Sequence, residues 1–524
     1  MHTTTTLLAA SCLLSLFTPT LAAPSGPGVL GFDFEKRFVP ARQVPGHSSL
    51  QRRAKTVNAE LTNELLLYFI NVTIGTPPQG PFSLQLDTGS SDIWLPATDA
   101  DVCQQEPEAC QFGAYDQSLS TSYQDPNYGQ FQIRYVDGSQ IEGDYVSDVL
   151  NIGSTTLTNL TMASATVASR GIGIMGIGYN AGETGVQTWD FEYPNIISVL
   201  KNQGFINTLS YSLWLNDLDA NTGSILFGGV DTDKYHGDLV SLPVQIDSRT
   251  GNLTSFTVAW TGLTITGGGT TSNLSPSNPQ PAILDSGTTD LYLPDDIAND
   301  IFNGVGVITD EAYGNVVACS LANDDLTFSF TFGGEGGAVV NVSLADFVTP
   351  LFTTDGTQPT FRDGTPACAF GIDAAQGNPI LFGDAFMRSA YVVYDLENNE
   401  IGIAQTSFNS TSSNVKAFES GSGIPGATST ASAASVAQTF SGNPFVTQSA
   451  VTATGGGQVG GTSRSPTFRL TSATATAGGS GSASPSSSSA AESSLKAPAA
   501  AMMSVVAGLV TVVGFVLGGS LIIW

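Results

Sequence analysis

Asp87-Thr88-Gly89-Ser90-Ser91-Asp92-Ile93-Trp94-Leu95-Pro96 aligns without a gap onto Asp285-Ser286-Gly287-Thr288-Thr289-Asp290-Leu291-Tyr292-Leu293-Pro294, and every position matches in identity or in chemistry. Apolar, strand-like residues lead into both copies. Further along the chain, each copy meets a second apolar pair followed by glycine, Ile174-Met175-Gly176 and Leu381-Phe382-Gly383. The repeat therefore concerns two whole lobes rather than two loops. A lone Asp-Thr-Gly would be a poor signal, because Asp in a turn commonly caps backbone amides. The duplicated frame is not explained that way.

A carboxylate at the end of an apolar strand is destabilising unless it is paired or hydrogen-bonded, and each half of the chain has one, Asp87 and Asp285. Two buried aspartates that face each other resist ionising together. One pKa falls, the other rises, and the pair holds a single proton over acidic pH, so that one member is a base and the other an acid. Gly89 and Gly287 allow close approach of backbone, and Ser90 and Thr288, three residues after each aspartate, can hydrogen-bond the carboxylates and orient them. No His/Cys cluster, phosphate loop or dinucleotide fingerprint occurs, so neither metal nor cofactor is expected.

Outward from these motifs, residues 56–408 alternate short β-rich runs, such as 65–74 and 224–227, with Gly, Asn, Asp and Pro turns. A mostly β fold follows. Residues 411–495 are rich in Ser, Thr, Ala and Gly, hold too little apolar surface to order themselves, and suit an O-glycosylated stalk.

Forty-five acidic residues against 17 basic ones give a formal charge of −28, which argues against nucleic-acid binding and for an acidic surface or cationic substrates. Residues 56–410 hold seven bases against 41 acids. Six bases, Lys36, Arg37, Arg42, Arg52, Arg53 and Lys55, sit in a Pro- and Gly-containing leader at 23–55 that reads as a propeptide, with dibasic pairs that could serve processing proteases. Its cationic side chains are expected to plug an anionic cleft at neutral pH and release in acid; an unstructured leader removed on export is the alternative.

Residues 1–22 read as a secretory signal, with a short apolar run at 7–17 and small residues at Thr20-Leu21-Ala22, although no Lys or Arg precedes the run; a buried helix is the alternative. At the other end, Ser487 to Ser489, a spacer and an uncharged apolar tail match a glycosylphosphatidylinositol (GPI) attachment signal over 496–524. A retained transmembrane helix competes with it, though nothing basic follows to fix a cytosolic end. Four cysteines remain once Cys12 leaves with the signal, an even count that suggests disulfides in a secreted chain. Sequence order allows Cys103 with Cys110 and Cys319 with Cys368, with free buried thiols as the alternative. Asn71, Asn159, Asn252, Asn273, Asn341 and Asn409 stand in N-x-S/T triplets, of which Asn71, inside an expected strand, is the least accessible candidate.

Over residues 65–408 the chain resembles the pepsin-family aspartic proteases. That resemblance implies a bilobal, mostly β fold, with an N-terminal lobe at 56–245, a C-terminal lobe at 246–410, and a central cleft that binds an extended substrate segment. It implies that Asp87 and Asp285 are catalytic and activate one water, with Ser90 and Thr288 in support. Ile133-Arg134-Tyr135-Val136-Asp137-Gly138-Ser139 resembles the family's flap hairpin. Tyr135 would then close over substrate with Trp94 as its partner, and Gly89, Gly287, Asp137 and Gly138 would line the substrate path. The family also has disulfides where Cys103 and Cys110, and Cys319 and Cys368, fall. The segment from Ile380 to Arg388 resembles its last core segment, which makes Asp384 structural.

Val136 stands where the family more often has glycine, which stiffens the hairpin. Several fungal relatives carry an acidic residue at the position of Asp137 and accept Lys before the cut, as an anionic partner explains; a solvated surface charge is the alternative. Propeptide, protease domain, stalk and anchor signal together resemble the fungal yapsins. Their likeness implies a monomer at the outer face of the plasma membrane or in the cell wall, cutting peptide and protein substrates next to Lys or Arg, in proprotein processing and wall maintenance. Two rival functions fit less. A catalytically inactive pepsin-like cell-surface binding protein would not need both motifs intact, and an acid glycosidase, which also uses two carboxylates, gives no reason for the ten-residue repeat.

Overall fold

The computed structural model of the chain describes residues 28–40, 64–135, 138–220, 222–248, 250–310, 312–352, 357–434, 436, 459 and 461–464. The expected signal at 1–22, the dibasic pair Arg52-Arg53, Val136 and Asp137 at the flap tip, and the anchor signal at 496–524 lie outside the described residues.

The fold is mostly β, and its two halves repeat one arrangement. In the first, Gln79–Asp87 runs parallel to Ile174–Gly176, with Asp87 opposite Gly176, while Ile93–Pro96 lies antiparallel to the same short strand. In the second, Gln280–Leu284 runs parallel to Ile380–Phe382, with Leu284 opposite Phe382, and Leu291–Leu293 lies antiparallel to it. Each aspartate motif is thus the loop between two strands that flank a third. The apolar pairs of the downstream triplets lie in those central strands, with Gly176 ending the first strand and Gly383 just past the second, and the strands are fully buried, hence apolar at consecutive positions.

A 14-stranded sheet joins the halves, because Ala390–Asp395 and Glu400–Thr406 return from the end of the second half to pair beside Ser210–Trp214. An eight-stranded sheet carries the second motif. Beneath it Phe330, Phe332, Phe382 and Phe386 meet edge to face at centroid separations of 4.7–5.5 Å, a geometry that aligns ring edges with ring faces. Both expected disulfides are formed, Cys103 with Cys110 and Cys319 with Cys368.

Two stretches differ from expectation. Within the expected propeptide, Leu30–Pro40 is a strand of the 14-stranded sheet, inserted between Thr222–Phe227 and Glu64–Ile74. Its Phe34 is fully buried on Tyr68, 5.4 Å between centroids. Its charges stay with the sheet. Lys36 donates to the carbonyls of Asp217 and Leu218, and Arg37 donates to Glu35 and Ser83 while its guanidinium faces the Phe69 and Phe112 rings. Neither side chain bonds to Asp87 or Asp285, so the expected cationic plug is not made by these two.

The packed chain also continues past residue 410, into the stretch expected to be a stalk. Val415–Ala417 pairs with Gly229–Asp231, and Ser429–Thr430 lies parallel to Tyr235–Pro243. Phe418, Ile424 and Ala431 are buried, as is Val459 beside Tyr313 and Phe361. Averaged composition hid these few apolar residues, each of which needs only a preformed surface to bury itself.

Candidate active site

The loops Thr88 to Ser90 and Ser286 to Thr288 meet where the two halves abut. Asp87 and Asp285 are buried there, 5% and 8% exposed. Each carboxylate is held in the same way from its own loop. Asp87 accepts from the Gly89 amide at 2.8 Å and from the Ser90 hydroxyl; Asp285 accepts from the Gly287 amide at 2.8 Å and from the Thr288 hydroxyl at 2.7 Å. The expected orienting hydroxyls are therefore in position.

Close approach explains both glycines. A Cβ on Gly89 would come 2.5 Å from Asp285 Oδ1, and one on Gly287 would press against Asp87 Oδ1. Each loop's glycine thus makes room for the other loop's carboxylate. The hydroxyls at the second motif position, overlooked at the level of sequence, hold the two loops together. Thr88 Oγ1 donates to the Leu284 carbonyl at 3.0 Å and accepts from the Ser286 amide at 2.9 Å, while Ser286 Oγ donates to the Leu86 carbonyl at 3.0 Å and accepts from the Thr88 amide at 3.2 Å. These four bonds cross from one half of the molecule to the other. The repeated hydroxyl at that position was the available signal, but its direction is set only when two lobes face each other.

Burial and, next, the charge of Asp87 raise the pKa of Asp285 well above the ordinary carboxylate range, against the lowering effect of the Thr288 and Gly287 bonds. The two carboxyls stand side by side, since a Cβ on Gly287 would meet both Asp87 Oδ1 and, at 3.1 Å, Asp285 Oδ1. A pair of this kind titrates as a unit and holds one proton where an isolated aspartate would have lost it.

A further buried acid lies beside each motif loop. Asp92 accepts from Tyr193 Oη at 2.6 Å and from Thr184 N at 2.9 Å, and burial raises its pKa. In the second half, the backbone of the helix Asp384–Met387 supports the loop, with Asp384 N donating to Thr288 O at 2.8 Å. The Asp384 carboxyl is fully buried, neither oxygen has a hydrogen-bond partner among the described residues, and burial holds its pKa well above the usual value.

Over the site, Gln130–Arg134 and Gln140–Ile152 form the expected hairpin. Tyr135 stands at its turn, and Trp94 Nε1 donates to the Tyr135 hydroxyl at 2.8 Å, the partnership that the sequence suggested. Gly138 is exposed, adopts φ of +82°, and donates its amide to the Tyr135 carbonyl. All six candidate glycosylation residues are exposed, Asn71 included, although its Oδ1 accepts from Ser83.

Two halves of one topology that meet on a pair of cross-braced, buried aspartates define the aspartic class of endopeptidase. Residues 67–406 match the family described as eukaryotic aspartyl protease. The chain is 43% identical over 418 residues, 79% of its own length and 83% of the relative's, to "Probable aspartic-type endopeptidase OPSB" of Trichophyton verrucosum. It is 36% identical to "Acid protease" of Saccharomycopsis fibuligera, covering 72% of the chain and 93% of that protein, and 34% identical to "Candidapepsin-3" of Candida albicans, covering 78% and 97%. The chain belongs to the eukaryotic aspartyl protease family, and it is an aspartic-type endopeptidase.

Proposed function

We propose that Asp87 and Asp285 hold one water between them and drive its direct attack on the carbonyl carbon of a peptide bond. The paired geometry carries this proposal: two buried carboxyls, each tied by a glycine amide and a hydroxyl and both reaching the same glycine of the second loop, with the pKa of Asp285 raised by burial and by its neighbour's charge. The ionised aspartate takes a proton from the water as its oxygen bonds to carbon, and the protonated one gives its proton to the carbonyl oxygen. The C–N bond then breaks as the aspartate that took the water's proton gives it to the leaving nitrogen, while the other takes a proton back from a hydroxyl of the tetrahedral intermediate. Acid and amine thus depart without a covalent enzyme intermediate, and the pair again holds one proton. Tyr135 closes over the substrate with Trp94 behind it, and Gly89, Gly287, Gly138 and Asp137 line the path.

The wider reading is of an exported, N-glycosylated monomer, made with a signal at 1–22 and a propeptide at 23–55, and held by a GPI anchor at the outer face of the plasma membrane, reaching into the cell wall. Exposure of all six Asn-x-Ser/Thr asparagines and the uncharged apolar C-terminal run support it. Asp137 and the excess of acids support cleavage next to Lys or Arg, in proprotein processing and wall maintenance. A peptide library digested at acidic pH tests the chemistry and the preference together. Pepstatin-sensitive cuts flanked by Lys or Arg are expected; indifference to those residues would remove the preference, and insensitivity to pepstatin would remove the two-aspartate mechanism. Release of the protein from cells by a phosphatidylinositol-specific phospholipase is expected for the anchor, whereas a transmembrane helix would keep it bound.

A further inference from the structure

Arg170, just after the strand Thr155–Ala168, is buried at 5% exposure, yet neither of the two ion pairs found among the described residues involves it. Its guanidinium carbon lies 5.8 Å from the centre of the Trp94 ring and 5.1 Å from that of Tyr135, the two side chains joined by the indole-to-phenol hydrogen bond. Nη1 reaches Gln85 Oε1 over 3.5 Å, the outer limit of a hydrogen bond. Nε has no hydrogen-bond partner among the described residues. Gln85 itself is buried two residues before Asp87, and its Nε2 donates at 2.9 Å to the carbonyl of Gly287 in the other half. The amide of that same glycine holds Asp285 Oδ1.

A buried cation is costly to desolvate, and an apolar side chain of equal length would fill the space between two rings without that cost. What a guanidinium adds is attraction to both ring faces and a planar shape that stacks on them. The need for such an anchor follows from the sheet: Gln140–Ile152 is paired on its far side to Thr155–Ala168, but Gln130–Arg134, the strand that leads into Tyr135, is the last of the sheet and has a backbone partner on one side alone.

We propose that Arg170 is a positioning residue that pins the Tyr135 ring over the cleft and ties that position, through Gln85, to the Gly287 loop that holds Asp285. It acts by way of Tyr135, and so depends on Tyr135 closing over substrate as proposed above. Among the described residues, no other cation stacks on Tyr135 or Trp94.

Two measurements on the full chain test this. In the first, kcat and KM for one peptide are compared for Arg170→Met, which keeps the bulk and loses the charge, and Arg170→Lys, which keeps the charge and loses the plane. Each change is made alone and with Tyr135→Ala. The expected result is a loss of tenfold or more in kcat/KM for Arg170→Met, a smaller loss for Arg170→Lys, and less than a twofold further loss when Tyr135 is already Ala. Equal losses in both backgrounds would overturn the proposal. In the second, amide hydrogen exchange over residues 131–141 of the free protein is expected to quicken at least tenfold in Arg170→Met while the central strands keep their protection. Unchanged exchange there, alongside a lower unfolding midpoint, would make Arg170 a structural residue only. Failure of the wild-type protein to cleave any peptide would count against the enzymatic mechanism instead, and hydrogen exchange would still decide the role of Arg170.

Discussion

Ser90 and Thr288 make the same bond in the two lobes, each donating its hydroxyl to the aspartate three residues before it. The Thr288 hydroxyl bond lowers the pKa of Asp285, against burial and against the charge of Asp87, which both raise it. Removing that bond with Thr288→Val leaves the raising effects less opposed, so the pair keeps its proton to higher pH. The alkaline limb of kcat/KM should therefore move up in pH, and a limb that stays or moves down would contradict this assignment. Asp87, Asp285, Ser90, Thr288 and both glycines were legible in the sequence, because a gapless repeat points to the same chemistry twice. Thr88 and Ser286 were not, because a hydroxyl one residue after an aspartate has many possible partners until the loops of two lobes are set against each other. Arg170 and Gln85 were hidden for the same reason, lying far from the motifs or within an ordinary strand.

At the level of elements, the strands that carry the motifs followed from apolar runs ending at Asp, but the two outlying stretches did not. Leu30–Pro40 reads as part of a basic leader because residues 23–55 hold six bases against two acids, whereas Phe32 and Phe34 supply its packing. Backbone pairing on both sides of the strand protects its dibasic pair, Lys36 and Arg37. Limited trypsin digestion of the folded chain before its propeptide is removed should leave the bonds after Lys36 and Arg37 intact, as read by mass spectrometry; cleavage there as fast as in the denatured chain would count against the strand. At the other end, Phe418 is fully buried in a Ser- and Gly-rich segment. Phe418→Ala should cost about 3 kcal/mol of stability if residues 411–434 belong to the folded domain, and a change within about 0.5 kcal/mol, the usual range for a surface site, would mean that they do not.

For the molecule as a whole, the notable electrostatic feature is the number of buried acids. Burial raises the pKa of Asp285, Asp92 and Asp384, and pushes Glu183 up to about 10. Each of these groups binds its proton more tightly folded than unfolded. Between the unfolded value near 4 and the raised folded value, the native state therefore carries more protons, and stability falls as pH rises. The stabilising contribution is complete below about pH 4 and fades upward through neutrality; self-repulsion of a chain with formal charge −28 acts in the same direction. Unfolding midpoints should fall steadily from pH 5 to pH 8, and a flat or rising profile would show that these acids are not buried as described. Acid-favoured stability and a proton-sharing pair suit the same environment, which links the fold to its chemistry. The repeat that first indicated two lobes makes each lobe supply half of the reactive pair, so neither aspartate should suffice alone. The most direct test is peptide cleavage at acidic pH by Asp87→Asn and by Asp285→Asn, with circular dichroism and unfolding midpoint confirming a native fold. Both variants should lose about 10³-fold or more in kcat; a near-wild-type rate in either folded variant would contradict the account.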